Sequence, residues 1–185
     1  PIGWTQLGSD IDGEAAGDNS GHYVSLSSDG TIVAIAANRN DGTTGDINDD
    51  RGHVRVYQYS NSAWTQLGDD IDGEAYYDFS GESVSLSSDG SIVAIGARYN
   101  DGTNSTNTAH GHVRVYQYSN SAWTQLGADI VGEAAGDESG YSVSLSSDGT
   151  IVAIGAHNND GTSTNTNDNR GHVRIYQYSN SAWTQ

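Results

Sequence analysis

The residues best suited to chemistry lie in the segments that precede the apolar stretches. Asp10, Asp12, Glu14 and Asp18 recur as Asp70, Asp72, Glu74 and Asp78. A third copy keeps Asp129, Glu133 and Asp137 but carries Val131 where the others have an acid. Calcium takes six to eight oxygen ligands, so polar connections dense in carboxylates make Ca2+ the cofactor the sequence allows. The loop acids Asp41, Asp46, Asp49 and Asp50, with Asn48, form a separate candidate of the same kind. Asp18, Asp78 and Asp137 have a second reading, as caps that accept backbone N–H groups where the chain turns into a strand. Tyr76, Tyr77 and Phe79 break the repeat, standing where the other copies carry alanine and small polar residues. With Arg98 and Tyr99 they could stack against a sugar ring, or fill space between structural units.

Other chemistry is less clearly written. His53, His112 and His172 sit beside valines and read as strand residues, and the His110–Gly111–His112 pair has no matching carboxylate motif. No GxSxG nucleophile elbow occurs. Anything built from the repeat comes three times, whereas a catalytic constellation is usually assembled once, so the expectation is a protein that is not an enzyme. Asn104-Ser105-Thr106 is a glycosylation sequon. The formal charge is −17, and every basic residue is arginine, which sets nucleic acid and acidic membranes aside as partners. Cysteine is absent, so disulfides and thiolate metal sites are excluded. No run approaches the roughly 18 apolar residues of a membrane-spanning helix. The opening residues already belong to a repeat and do not read as a signal peptide.

The elements that must position these residues are set by one unit used three times. GHVRVYQYSNSAWTQLG at 52–68 returns at 111–127 and again at 171–185, and its tail opens the chain. Trp4, Trp64, Trp123 and Trp183 recur at spacings of 59 or 60 residues. Within one unit, residues 24–27 alternate apolar and small polar, the period of a strand. Ser28-Asp29-Gly30 is a tight turn, and residues 31–37 follow as TIVAIAA, apolar on both faces. A strand apolar on both faces must be covered on both. A long polar loop leads to residues 52–59, which alternate again, and a short turn leads to the strand that carries the tryptophan. The fold expected is an all-β propeller of three four-stranded antiparallel blades of about 60 residues each. The blades fall at 8–67, 68–126 and 127–185, with 1–7 a spare outer strand.

The string SGYSVSLSSDGTIVAIGA at 139–156, with the GHVRIY and SAWTQ that follow, resembles the bacterial and algal FG-GAP repeats. Those repeats are relatives of the integrin α-subunit propeller repeats, and the resemblance runs through all three copies. The Phe of the FG element is replaced by Ser20, Ser80 and Ser139, while Gly21, Gly81 and Gly140 remain. The GAP element persists without its proline as Gly96-Ala97 and Gly155-Ala156, and as Ala36-Ala37 in the first copy. The integrin-type calcium loop has no room in the short SSDGT and SSDGS turns and is not carried over. The resemblance implies a non-enzymatic module of an extracellular or cell-surface protein, serving adhesion or assembly. A lectin-like propeller binding glycans and a repeat of an extracellular filament are the alternatives.

A propeller ring needs about four to eight blades, and three leave two apolar blade faces uncovered. The expected partner is therefore a second copy of the chain, closing six blades as a homodimer, or further blades of a longer parent. A surface protein or a glycan is the remaining partner class.

Overall fold

The computed structural model describes residues 3–43, 46–102, 108–161 and 168–185. The described residues form strands and turns only, and no helix is long and apolar enough to cross a membrane. The sequon at Asn104 lies outside the described residues.

The first blade contains β1 (Tyr23–Leu26), β2 (Ile32–Ala37), β3 (His53–Ser60) and β4 (Ala63–Gln66), antiparallel in that order. A two-residue strand β5 (Ile71–Asp72) then pairs with the start of β3. The second blade contains β6 (Ser83–Leu86), β7 (Ile92–Ala97), β8 (His112–Ser119) and β9 (Ala122–Gln125), and β10 (Ile130–Val131) pairs with β8. The third contains β11 (Ser142–Leu145), β12 (Ile151–Ala156), β13 (His172–Ser179) and β14 (Ala182–Thr184). This is the partial propeller that the repeat predicts. Two details differ. The short strands β5 and β10 carry no strand pattern of their own, and form because the connection lies along the free edge of the long third strand. Residues 3–7, expected to form an outer strand, are in none, since no third strand of a preceding blade is present to pair with them.

Of the doubly apolar strands, β7 is sandwiched between two blades, whereas β2 and β12 are each covered by a blade on one face. One face of β7 places Val93 and Ile95 against Ala34, Ala36, Val54 and Val56 of the first blade. Its other face places Ile92 and Ala94, with Val113 and Val115, against Val152 and Ile154 of the third. Small residues let the sheets approach closely: a Cβ on Gly96 would stand 2.1 Å from the backbone oxygen of Gly140. Each short turn is fixed by one carboxylate. Asp89 accepts from the Ser87 hydroxyl at 2.8 Å, the Ser91 N–H at 3.0 Å and the Ser91 hydroxyl at 2.8 Å. Asp29 and Asp148 do the same in the other blades. These bonds favour the charged form and hold the carboxyls below the usual range, Asp148 at about 2.

Candidate functional site

The long third strand, the connection entering its blade and the connection leaving it converge at one end of the first and second blades. Alternation along β8 sends Val113 and Val115 into the seam with the third blade and His112 and Arg114 to the opposite face. The entering connection brings Glu74 to that face, and the leaving one brings Asp129. Nδ1 of His112 lies 3.9 Å from Glu74 Oε2 and 3.7 Å from Asp129 Oδ2. Arg114 Nη1 is 3.5 Å from Glu74 Oε1, while its Nη2 donates to the backbone oxygen of Asp72 at 2.7 Å. The first blade repeats the arrangement. His53 Nδ1 lies 3.8 Å from Glu14 and 3.7 Å from Asp70, Arg55 Nη1 lies 3.5 Å from Glu14, and Arg55 Nη2 donates to Asp12 O at 2.9 Å. In each set the three potential ligand atoms lie within 4.8 Å of one another. The third blade supplies His172, Glu133 and Arg174, with His172 at 3.7 Å from Glu133 and Arg174 paired with it.

Burial sets the electrostatics. The His112 side chain is 2% exposed, and burial, reinforced by the neighbouring Arg114, pulls its pKa down despite Asp129. His53 is lowered by burial in the same way. Both imidazoles are therefore neutral at pH 7, with a lone pair to offer, while the carboxylates beside them remain half-exposed. Separations of 3.7–3.9 Å are too long for direct hydrogen bonds and suit donors that share a cation or a water. The donor sets can thus hold a metal ion.

The remaining acids divide by environment. Asp18, Asp78 and Asp137 are buried turn residues: each accepts a backbone N–H three residues earlier and a long-loop amide, Asn40, Asn100 or Asn159, at 2.8–3.1 Å. Burial raises the Asp78 carboxyl, against the pull of Asn100. Asp10, Asp70 and Asp129 each accept from a glutamine four residues earlier at 2.7 Å. Asp12 and Asp72 contribute their backbone oxygens to the arginines, a contact that does not use the carboxylate absent at Val131. In the first long loop, Asp49 is buried and paired with Arg51, Asp41 accepts the Asp50 N–H, and Asp46 accepts the Asn48 N–H.

The aromatic residues come together as a row. Tyr76 meets Tyr77 edge-on at 4.5 Å, Tyr77 stacks on Phe79 at 6.0 Å, and Phe79 meets Tyr99 at 5.4 Å. The Arg98 guanidinium lies over Tyr99 at 4.4 Å and over Tyr141 at 5.5 Å, and pairs with Glu82 and Glu138. Tyr76 and Tyr77 keep nearly half their surface exposed. The histidines lie at the start of strands, as the sequence reading has them, but that reading did not bring them together with the acids. The signal was His-x-Arg on every third strand, with Glu 38 or 39 residues before the histidine and Asp 17 after it, but nothing in the sequence says that consecutive connections flank the same strand.

The sequence matches no protein-family model and no curated protein. Among solved structures the chain is similar to a Bacteroides fragilis protein assigned as a 6-phosphogluconolactonase, at 12% identity and a TM-score of 0.58. The match covers 92% of this chain and 38% of that one. A periplasmic gluconolactonase of Pseudomonas aeruginosa matches at 16% identity and a TM-score of 0.50, over 84% of this chain and 39% of the other. The chain thus spans well under half of either protein, and at these identities the likeness establishes a shared propeller fold.

These findings correct the family reading. The FG-GAP resemblance does not hold, since no family model matches and the two solved propellers described above are named as lactonases. Its physical basis was narrow: the strings shared with FG-GAP repeats are those that build any short-turned blade, while the FG phenylalanine, the GAP proline and the calcium loop are missing. The non-enzymatic adhesion module drawn from that resemblance falls with it, as do its integrin-like and adhesion labels. The exclusion of catalysis falls as well, because propellers of this fold include proteins named as enzymes, repetition of the blade notwithstanding.

Proposed function

We propose that this chain is a propeller portion of a hydrolase acting on sugar lactones or related cyclic esters, with the Glu–His–Asp–Arg clusters as its reacting groups. The observation that carries the reading is the set Glu74, His112, Asp129 and Arg114, gathered at one end of a blade whose fold is that of two named lactonases. Lactone hydrolysis adds water to the carbonyl carbon and breaks the ring C–O bond, giving a carboxylate and a hydroxyl. Half-exposed Glu74 is placed to take the proton from the attacking water, and Arg114 to balance charge gathering on the carbonyl oxygen. A divalent cation held by Glu74, His112 and Asp129 would polarise the carbonyl. One imidazole with two carboxylates suits zinc or manganese better than calcium, which favours an all-oxygen shell. Tyr76, two residues beyond Glu74, and Tyr77 offer a face for the sugar ring.

The test is proton release from a gluconolactone, by pH-stat, with zinc, manganese or calcium added to the metal-stripped chain. Turnover above the uncatalysed rate, lost by at least tenfold in Glu74→Gln and Asp129→Asn with melting unchanged, supports the reading. Absence of turnover with every cation overturns it. A structural role is favoured by a separate observation, the bonds from Arg55 and Arg114 to the backbone of the connections. Under that role the same variants lower the melting temperature.

A further inference from the structure

The two ends of the arc carry the two halves of the seam that the blades make inside it. Leu86 of the second blade is 8% exposed where it meets the first, and its equivalent Leu26 on the first blade is 58% exposed. Val113 is fully buried against the third blade, while its equivalent Val173 is 67% exposed. The open face of the third blade also holds a cavity of about 500 Å³, lined by Gly155, Gly171, His172 and Val173 among others. In the inner seams the corresponding space is filled by backbone. A Cβ on Gly52 would stand 2.2 Å from Ser80 O, and one on Gly111 would stand 2.1 Å from Ser139 O. The segment equivalent to these fillers, Ser20–Gly21, lies on the open face of the first blade, where a Cβ on Gly21 would meet nothing within 4 Å.

Polar groups along the seams repeat as well. Leu86 N donates to Ser25 Oγ and Leu145 N to Ser85 Oγ, each at 3.0 Å. Ser28 N donates to Ser88 O and Ser88 N to Ser147 O, each at 2.8 Å. One repeat further on, Ser144 Oγ and Ser147 N would meet Leu26 N and Ser28 O. The acid that completes each cluster follows the same shift: Asp70 serves His53, Asp129 serves His112, and Asp10 is their equivalent at the other end of the chain from His172.

We propose that a second copy of this chain docks head to tail, seating its first blade on the open face of the third, and that its Asp10 completes the cluster of Glu133, His172 and Arg174. Two such seams close a six-bladed ring, within the range of known propellers. Residues 3–6 repeat the sequence of the last outer strand and contend with β14 for the same edge of β13, so one of the two segments is displaced at each seam. The docking rests on the blade faces and stands apart from the hydrolase reading.

Light scattering on the 185-residue chain tests it. A single species of twice the 19.5 kDa chain mass is expected, reduced to 19.5 kDa by Leu26→Glu and by Val173→Glu with unchanged circular dichroism. Both side chains are exposed in the single chain, so the variants leave its fold intact, and each removes both seams. A chain that stays at 19.5 kDa at all concentrations, as it would if further blades of a longer parent were the natural occupant, overturns the proposal. Mass rising in open-ended steps overturns it too. Asp10→Arg, which sets a cation beside Arg174, is expected to weaken the dimer about tenfold. Unchanged affinity in that variant overturns the composite cluster.

Discussion

His112 shows how a single residue ties stability to pH here. Its pKa is depressed in the folded chain, so the unfolded chain binds the extra proton first as the solution is acidified. Stability from this histidine is complete above its ordinary value near 6.5 and is lost as pH falls toward the depressed one. His53 acts in the same direction. Denaturant melts should therefore show stability falling below about pH 6.5, by up to about 1.4 kcal/mol per pH unit per histidine. His112→Gln should flatten that slope, and an unaltered slope would refute the assignment. Asp78 works the other way: its raised carboxyl favours the folded chain as pH falls below that raised value. It also bonds both Ala75 N and Asn100 Nδ2. Asp78→Ala leaves the buried Asn100 amide without its acceptor and should cost about 1–3 kcal/mol in urea unfolding.

At the scale of elements, strands and turns carry separate loads. Ile95 is fully enclosed between two blades, and Ile95→Ala should cost about 2–5 kcal/mol, read as a lower denaturation midpoint. Its equivalent Ile35 faces the open side of the first blade, and Ile35→Ala should cost clearly less in the single chain. Equal losses would mean that the blades do not share one seam geometry. The outer strands are held from the preceding unit: Trp123 Nε1 donates to Leu67 O at 2.7 Å and Trp183 Nε1 to Leu126 O at 2.8 Å. Each tryptophan also stacks at a tilt on a tyrosine of its own blade, 5.1 Å away. The sixty-residue spacing of tryptophan is thus the spacing of one latch per blade.

The whole molecule is an acidic arc with two unlike apolar ends. Its charge of −17 opposes any self-association, whereas the exposed Val24, Leu26, Val173 and Ile175 favour it. Salt screens the first and strengthens the second. Dimer affinity should accordingly rise as sodium chloride is raised from about 20 mM to about 500 mM, where the Debye length falls below about 5 Å. Sedimentation equilibrium measures this, and an affinity that falls with salt would show that ion pairs rather than apolar faces dominate the contact.

The strands, short turns and threefold blade were legible in the sequence because they follow from local periodicity and from turn residues such as Asp29-Gly30, which need no distant partner. The doubly apolar run at β7 even announced that it would be covered on both sides. The gathering of Tyr76, Tyr77, Phe79, Tyr99 and Arg98 was legible as well, since connection and loop of one blade are neighbours by plan. The pairing of His112 with Glu74 and Asp129 was not, for those acids belong to connections on either side of it, 38 residues before and 17 after. Only the stacking of sheets around an axis decides that both reach the same strand end, and only burial there decides that the imidazole stays neutral. Local chemistry wrote the blades; the packing of blade on blade assembled the site.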